Sequence, residues 1–301
     1  MVNMFAVPRE RSGIFLRLSH AVSCYEPKCI FCLLAAFAVV ALAAPQAKAQ
    51  SAGAFAAWQN SAGVVLRSLA GPVPKWNVTL GMGLEAQPRY EGSNQNQIYP
   101  APNIDIRYRD LAFASLGEGI GVNLLRGKLY RVGIALGFDP GREHSYATRL
   151  AGTGNIDPSP TIRAFGQVAL LPFILTLDIN QDLIGSQGLE AEFGTYMPVY
   201  GSKKLVVFVG PSLTVANRQY MQSYFGISSP HAIPHSEFPT YSAHGGLKSA
   251  HFGLVAIYHL DEHWFFDGDL GGERLLGSAD NSPIVQDRYQ WAASLGFGYT
   301  F

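Results

Sequence analysis

From Trp76 to the C-terminus, apolar residues alternate with polar or small residues in a series of short segments. In the first segment the apolar positions fall on every second residue from Val78 to Ala86. The pattern returns around residues 104–108, 130–138, 173–179, 189–193, 250–258 and 289–301. A period of two places successive side chains on opposite faces of a β-strand. The pattern therefore predicts an all-β chain whose strands have one apolar face and one polar or small face.

The polar face of these strands indicates where they lie. A soluble β-sandwich or lipocalin-like barrel places apolar residues inside as its core. Here the face opposite the apolar one is too polar and too rich in glycine to form a core. After residue 50 no apolar run approaches the ~20 residues of a spanning helix. Strands in lipid must leave no backbone group unsatisfied, so they have to close. We predict a transmembrane antiparallel up-and-down β-barrel over residues 76–301.

The lengths of the connections set the number of strands. In such barrels both termini lie in the periplasm, where the turns are short, whereas the outward loops are long. Dividing the segment 111–124 at Gly117-Glu118-Gly119 gives twelve strands and puts all the short turns at one end. Leaving it whole gives ten and puts the long 140–160 segment in the periplasm. We favour twelve, although the strands flanking Glu118 would then have only about seven residues each, below the ~9 to 11 of a full span.

The first 49 residues have the features of a signal peptide. An apolar run from Cys29 to Ala44 follows several basic residues and precedes Ala47-Lys48-Ala49, a small-x-small cleavage site. We expect cleavage between Ala49 and Gln50; the alternative is an uncleaved anchor. Residues 50–75 are then a periplasmic lead-in segment. All three cysteines lie in the removed segment, so the mature chain has no thiol and no disulfide.

The net charge of the mature chain argues against a nucleic-acid partner, and the positions of its charged residues direct many of them into the barrel lumen. Without the five basic and two acidic residues of positions 1–49, 22 basic and 22 acidic side chains become 17 and 20, which gives no electrostatic case for nucleic acid. The strand register directs ten charged residues inward: Asp105, Arg107, Arg131, Arg163, Asp178, Glu190, Glu192, Asp267, Asp269 and Glu273. They either line a water-filled passage or pair and plug a narrow lumen, and we favour the plug because a twelve-strand barrel is small.

No catalytic site and no cofactor are predicted. His231, His235 and His244 lie in the longest loop with Glu237, but their irregular spacing is more typical of exposed histidines than of zinc ligands. His251 and His259 point inward, yet no serine on a neighbouring strand stands out as a nucleophile. The loop aromatics Tyr220, Tyr224 and Phe225 either form a binding surface or fold over the barrel mouth.

Four segments resemble the MipA/OmpV family of outer-membrane proteins: 88–93 (PRYEGS), 218–227 (RQYMQSYFGI), 245–248 (GGLK) and 275–285 (LLGSADNSPIV). Their order and spacing match over essentially the whole mature chain. The motif residues that we assign to loops are Tyr90, Glu91, Gly92, Tyr220, Met221, Gln222, Ser223, Tyr224, Phe225, Gly226, Ser282, Pro283, Ile284 and Val285.

The resemblance implies an outer-membrane barrel that contacts lipid and has no catalytic residues. For the founding member it implies a scaffold that brings a lytic transglycosylase together with a murein synthase. Other members are described as adhesins or stress-response proteins, so an OmpV-type role and a small-solute pore stay as alternatives. The last strand, with Tyr299 and Phe301, resembles the aromatic C-terminal signal for barrel assembly.

Overall fold

A computed structural model describes residues 75–150, 153–228 and 238–301. The elements are β1 (Trp76–Pro88), β2 (Asn96–Tyr108), β3 (Ala112–Ser115), β4 (Gly119–Arg126), β5 (Tyr130–Asp139), β6 (Ser159–Leu170), β7 (Phe173–Asp182), β8 (Leu189–Gly201), β9 (Leu205–Ala216), α1 (Arg218–Phe225), β10 (Gly246–His259), β11 (Trp264–Leu275), α2 (Gly277–Asp280) and β12 (Tyr289–Thr300). The signal segment, its cleavage site at Ala49 and Gln50, and the lead-in segment before Lys75 lie outside the described residues.

The strands form one closed antiparallel barrel in which each strand pairs with its neighbours in sequence. Pairing of β1 with β12 closes it, from Thr79 opposite Thr300 to Ala86 opposite Ala293. The Phe301 N–H also donates to the Val78 carbonyl, at 2.9 Å. The predicted all-β barrel of twelve strands is confirmed. Closure gives every strand two hydrogen-bonded neighbours over its paired length, as a hydrocarbon environment requires.

The barrel presents its apolar faces outward. Leu84, Leu136 and Leu295 are each at least 60% exposed, as are many other aliphatic and aromatic side chains on the outer wall. Rings gather where the strands meet the short turns: Trp264 stacks on Phe297 with centroids 4.8 Å apart, and Trp76 lies 4.7 Å from Tyr108. Such rings favour the headgroup level of a membrane. In the described residues, no helix has the length and apolar character needed to span a membrane.

The two ends of the barrel differ. One end, the turn end, has the short connections between β2 and β3, β4 and β5, β6 and β7, β8 and β9, and β10 and β11. The other, the loop end, has the longer connections 89–95, 140–158, 183–188, 217–245 and 276–288 together with α1 and α2. Because short turns face the periplasm in barrels of this kind, the turn end is assigned to the periplasm.

The β3–β4 hairpin is much shorter than the rest of the wall. Sequence reasoning gave both strands about seven residues, but β3 has four and β4 has eight. Four residues extend only ~13 Å along a strand, against an apolar band ~25 Å tall. Pairing of β2 with β3 ends at Asp105 opposite Ser115, and pairing of β4 with β5 ends at Ile120 opposite Leu136. Above the hairpin, the wall therefore has a gap between the outer part of β2 and the end of β5.

Proline protects the edge of this gap. The Leu116 N–H donates to the Ile104 carbonyl at 3.0 Å, so the backbone of Ile104 faces β3. Alternate residues of an antiparallel strand face the same neighbour, so Pro100 and Pro102 turn their nitrogen atoms toward the gap. Proline has no N–H to leave unsatisfied there, and edge strands commonly use it for this reason. The edge of the gap therefore offers fewer backbone donors to another strand than an ordinary edge would.

The first prediction concerns closure. Deleting 299–301 removes the pairs of Tyr299 and Thr300 with β1, the pair of Tyr299 with Trp264 and the ring contacts of Tyr299, so backbone groups at the turn ends of β1 and β11 would lose their partners. We expect the truncated chain to remain in the periplasm without the heat-modifiable mobility of a folded barrel on semi-native gels. The matched variant Phe301→Tyr keeps a terminal ring and should assemble normally. Truncated protein in the outer membrane with normal heat-modifiability would contradict the prediction.

Candidate functional site

Buried ion pairs cross the middle of the lumen. Arg107 of β2 contacts Asp105 at 2.7 Å and also Glu118 of the β3–β4 turn. Arg163 of β6 contacts Asp178 of β7, and Arg131 of β5 contacts Asp110 at 2.5 Å. All three guanidinium groups are largely buried. Opposite charges therefore pair inside the barrel, with the Arg131–Asp110 pair near its turn end, and Asp110 and Glu118 are partners that the sequence did not indicate.

Aromatic rings separate these pairs. Phe113 and Phe165 meet edge to face with centroids 5.7 Å apart and pack against Ala135. Arg107 lies 5.1 Å from the Phe113 centroid, and Arg163 lies 5.1 Å from that of Phe165. Cation–π contacts of this kind are worth more where water is excluded. The rings and guanidinium groups together fill one side of the lumen.

An apolar cluster fills another part of the interior. It consists of Ala169, Ile174, Tyr196, Phe208, Val255 and Ala292, with Val206 and Ile257 packed against it. Tyr196 and Phe208 have no exposed surface. Because the wall contributes small residues at many inward positions, these two rings reach into the lumen. The barrel interior on this side is packed like a protein core.

The other inward charges lie elsewhere. Glu190 of β8 contacts Lys248 beneath the loops of the loop end. Glu192 is the next residue of β8 that points inward. Asp267 and Asp269 of β11 line a cavity, and Asp269 accepts a hydrogen bond from the Ser294 hydroxyl at 2.7 Å. Glu273 lies opposite His251 in the register. The ten charges thus lie in several distinct groups.

Helix α1 and the loops fold over the loop end as a lid. The rings of Tyr220 and Tyr224 stack with centroids 4.4 Å apart, and Met221 and Phe225 have no exposed surface. The helix begins at Asn217, whose side chain accepts from the Tyr220 N–H at 2.9 Å as an N-cap. Two apolar clusters join the lid, one around α1 with Ile156, Leu275 and Ala279, the other with Tyr90, Leu150, Ile227 and Ile284. The loop aromatics therefore pack over the mouth.

The motif segments, although far apart in the chain, meet in this lid. The Tyr90 hydroxyl donates to the Ile284 carbonyl at 3.1 Å, and the Ser282 hydroxyl donates to the Phe225 carbonyl at 2.6 Å. Gly92 has φ +97°, and a Cβ there would lie 2.6 Å from Val285 Cγ2, so only glycine fits. Further lid contacts are Pro283 carbonyl with Arg149 at 2.8 Å, Gln222 Oε1 with the Ala243 N–H at 2.9 Å, Gly226 N–H with the Gln222 carbonyl at 3.0 Å and Ser223 hydroxyl with the Ser186 carbonyl at 3.4 Å.

A single buried lysine ties the lid to the wall. Lys248 of β10 has no exposed side-chain surface and contacts Glu91 of the first loop and Glu190 of β8, each at 2.6 Å. Its ammonium group also lies 5.0 Å from the Tyr220 ring centroid, and the Tyr220 hydroxyl donates to Glu91 at 3.4 Å. Burial raises the pKa of Glu91 to about 7, against the attraction of Lys248. Lys248 belongs to the 245–248 motif, but the strand pattern did not place it among the charges of the lumen.

A buried arginine ends the helix of the lid. Arg142, 1% exposed, donates to the carbonyls of Tyr224 at 2.5 Å and Ser223 at 3.2 Å. These carbonyls lie in the last turn of α1, where a cation also complements the helix dipole. Burial lowers the pKa of Arg142 to about 10, so it stays charged at neutral pH. Nothing in the sequence around Arg142, which lies in a loop beside Glu143, indicates this role.

The histidines were candidates for a zinc site or a catalytic site. His231, His235 and Glu237 lie outside the described residues, and His244 is exposed. Among the residues described, no group of three or more ligand side chains is arranged to hold a metal ion. Register places Ser212 and Glu273 on either side of His251, an arrangement that the sequence did not reveal. Ser212 and His251 are both buried beneath the lid.

The second prediction tests Lys248. Lys248→Met would leave Glu91 and Glu190 buried without their cation, so the free energy of unfolding should fall by about 3–5 kcal/mol, the cost of breaking a buried pair. Urea unfolding of the detergent-solubilised barrel measures it. Replacing Glu91 and Glu190 with glutamine in the same protein should recover part of the loss. The control Arg288→Met breaks an exposed pair with Asp280 and should cost under ~1 kcal/mol. Equal effects of the two single variants would refute the role of Lys248.

The third prediction concerns pH. Because the folded pKa of Glu91, about 7, exceeds its ordinary value of 4.5, the unfolded chain releases this proton first as pH rises. Its contribution to stability is full below about pH 4.5 and is lost as pH approaches about 7, by at most roughly 3 kcal/mol. The protection of the lid amides against hydrogen exchange, corrected for the intrinsic effect of pH on the exchange rate, should fall over this range. The variant Glu91→Gln should flatten the profile, and an unchanged profile would show that another group titrates.

The model of the family described as MltA-interacting protein MipA matches residues 80–301. No curated protein matches the sequence. Similar solved structures include the translocator domain of the autotransporter NalP from Neisseria meningitidis, at 11% identity and TM-score 0.40, covering 84% of this chain and 99% of that one.

Others are an outer membrane channel from Pseudomonas putida F1, at 8% identity and TM-score 0.37, and the NanC porin, at 8% and 0.35. The match to the channel covers 77% of this chain and 97% of the channel, and the match to the porin covers 74% of this chain and 98% of the porin. At such identities and TM-scores these structures bear on neither partner nor solute. The family model, however, spans nearly the whole of a closed barrel with an apolar outer wall, and this outer-membrane protein belongs to the MipA family.

Proposed function

We propose that this chain is a non-enzymatic scaffold of the outer membrane that offers its periplasmic end to murein-remodelling enzymes, a lytic transglycosylase and a murein synthase. The observation that carries the proposal is the filled lumen. The lid covers the loop end, ion pairs cross the middle, and an apolar cluster occupies part of the turn half. A barrel built in this way is better suited to present surfaces than to conduct. The description of the family as MltA-interacting supports the first partner.

The turn end has a charge pattern suited to protein docking. Arg109, Arg126, Lys128, Lys203 and Lys204 are exposed in three of its turns. They extend over the part of the rim formed by the turns after β2, β4 and β8. Clustered exposed cations steer and orient an acidic partner surface. We infer that the periplasmic partner meets these turns, and we propose that the segment of residues 50–75 is also offered to it.

A small-solute pore is the competing function. It is favoured by a cavity of about 370 Å³ beside β1, β11 and β12, which reaches His259 and Thr300 near the turn end. To conduct, this cavity would have to continue through the lid, where Tyr224, Phe225 and Leu275 are buried. Outward-loop adhesion, the third alternative, has no observation in its favour among the described residues.

The fourth prediction tests the basic turns. The triple variant Lys128→Glu, Lys203→Glu, Lys204→Glu should bind purified lytic transglycosylase about tenfold more weakly than the unaltered barrel, a loss of about 1.4 kcal/mol. Surface-captured barrel in neutral detergent measures the affinity. The control Arg218→Glu changes one exposed charge at the loop end and should bind normally. Equal affinity of all three proteins, or no binding by any, would reject the scaffold proposal.

Conductance provides the opposing measurement. In planar bilayers the unaltered barrel should show no steady current, because the lid and the central ion pairs obstruct the lumen. A steady current, with ion preference altered by Arg131→Glu and stability unchanged, would favour the pore instead.

A further inference from the structure

The connection between β6 and β7, at the turn end, exposes apolar side chains. It consists of Leu171 and Pro172 alone, because Leu170 already pairs with Phe173. Leu171 is 66% exposed, and Pro172 is exposed as well. Tight turns draw mainly on Gly, Asn, Asp, Ser and Pro, so the turn itself does not require the leucine.

Neighbouring segments extend this apolar surface on both sides. In the turn between β4 and β5, Leu129 is 54% exposed, and its carbonyl accepts from the Ala169 N–H of β6 at 2.7 Å. That bond fixes the two turns next to each other. On the other side, the pairing of β7 with β8 starts at Ile174 opposite Tyr196, so the following residues of β8 continue past the turn.

A bulge in β8 adds two more side chains to this surface. The register of β8 against β9 shifts between Pro198 and Tyr200. Consecutive residues of a regular strand face opposite sides, but a bulge changes the direction of a side chain. Val199 and Tyr200 are in fact both about half exposed. We define the apolar patch as Leu129, Leu171, Pro172, Val199 and Tyr200.

Cations flank the apolar patch on both sides. Arg126 and Lys128 lie at the turn after β4, and Lys203 and Lys204 lie in the turn after β8; all four are exposed. No Asp or Glu occurs in the three turns that span 126–129, 171–172 and 202–204. Two exposed acids lie instead in the turn after β10, at 261–262. An apolar centre with a charged rim is the composition of a protein-docking surface.

The apolar patch lies beyond the part of the wall that lipid covers. Outward rings mark the headgroup level, and Tyr130 is such a ring, exposed on the outer wall opposite Val168 of β6. Leu171 follows Val168 by three residues, which is ~10 Å further along the strand toward the turn end. The charged groups beside the apolar patch also require water. The turn therefore faces the periplasm.

We propose that the apolar patch is the anchor of the periplasmic docking surface and receives an apolar region of the partner protein whose rim is acidic. This inference rests on the proposed function, because the scaffold brings that partner to the turn end. The flanking cations orient the partner, whereas burial of Leu171 and Tyr200 supplies most of the affinity. Pro198 and the bulge interrupt the edge of β8, so recognition uses side chains rather than an added strand.

The first measurement locates the turn. Residues 50–301 contain no cysteine, so one protein can carry a nitroxide at Leu171→Cys and a second, as the control, at Leu170→Cys on the outer wall. In phosphatidylcholine vesicles, EPR power saturation compares collisions with a water-soluble nickel chelate and with oxygen, which concentrates in lipid. We expect the chelate to dominate at position 171 and oxygen at position 170. Dominance of oxygen at both positions would place the turn in lipid and overturn the proposal.

The second measurement tests the anchor with purified lytic transglycosylase and surface-captured barrel in neutral detergent. Leu171→Ser should weaken binding at least about tenfold, whereas Leu171→Met keeps an apolar side chain and should bind normally. The matched control Leu260→Ser alters an exposed leucine of the turn after β10 and should also bind normally. The difference between the two Leu171 variants should persist at high salt, which screens the cations but not the apolar contact. Heat-modifiability shows that each variant has folded.

The outcomes separate this inference from the proposed function. If the unaltered barrel binds and the triple lysine variant is weakened but Leu171→Ser is not, the scaffold stands and the anchor is wrong. Equal losses in Leu171→Ser and Leu260→Ser would also overturn the anchor, because the effect would not be specific to the apolar patch. If the unaltered barrel does not bind the transglycosylase, the scaffold proposal fails and the anchor fails with it.

Discussion

In hydrocarbon there is no water to take up a backbone N–H or C=O, and each strand of this chain must therefore find both of its partners within the protein. Closure of β1 on β12 is the consequence, and the position of most other features follows from it. Once the strands close with their apolar faces outward, every polar residue of the alternate positions is directed into a narrow lumen. The interior thus has to accommodate charges that a soluble protein would leave in water.

Ion pairs accommodate these charges at two depths of the barrel. In the middle of the barrel, Arg107 and Arg163 are matched with carboxylates of the same or an adjacent strand and shielded by Phe113 and Phe165. Beneath the lid, Lys248 holds two carboxylates from distant parts of the chain. Removing one partner of such a group is far more costly than never having built it. The lid is consequently fixed to the wall, which supports a barrel that presents surfaces instead of conducting.

One short hairpin gives the barrel its asymmetry. Where β3 and β4 end early, the wall opens toward lipid beside an acidic cavity, while the loop end above is covered by α1 and its neighbours. At the gap, Pro100 and Pro102 remove two backbone N–H groups that would otherwise lack a partner.

The sequence by itself determined the architecture, because side-chain alternation and loop length are local properties. A period of two identified the strands and their outward faces, and the parity of short turns chose twelve strands over ten. It also directed Arg107, Arg163 and Asp178 to the inner face. Only the tertiary structure decided which charges meet, since Lys248 and Glu91 are separated by 157 residues and come together through register and loop folding. The same holds for the depth of β3, set at four residues rather than about seven by where its pairing with β2 ends. The lid contacts of Arg142 and the gap above the β3–β4 hairpin likewise depend on closure of the whole barrel, which no local pattern encodes.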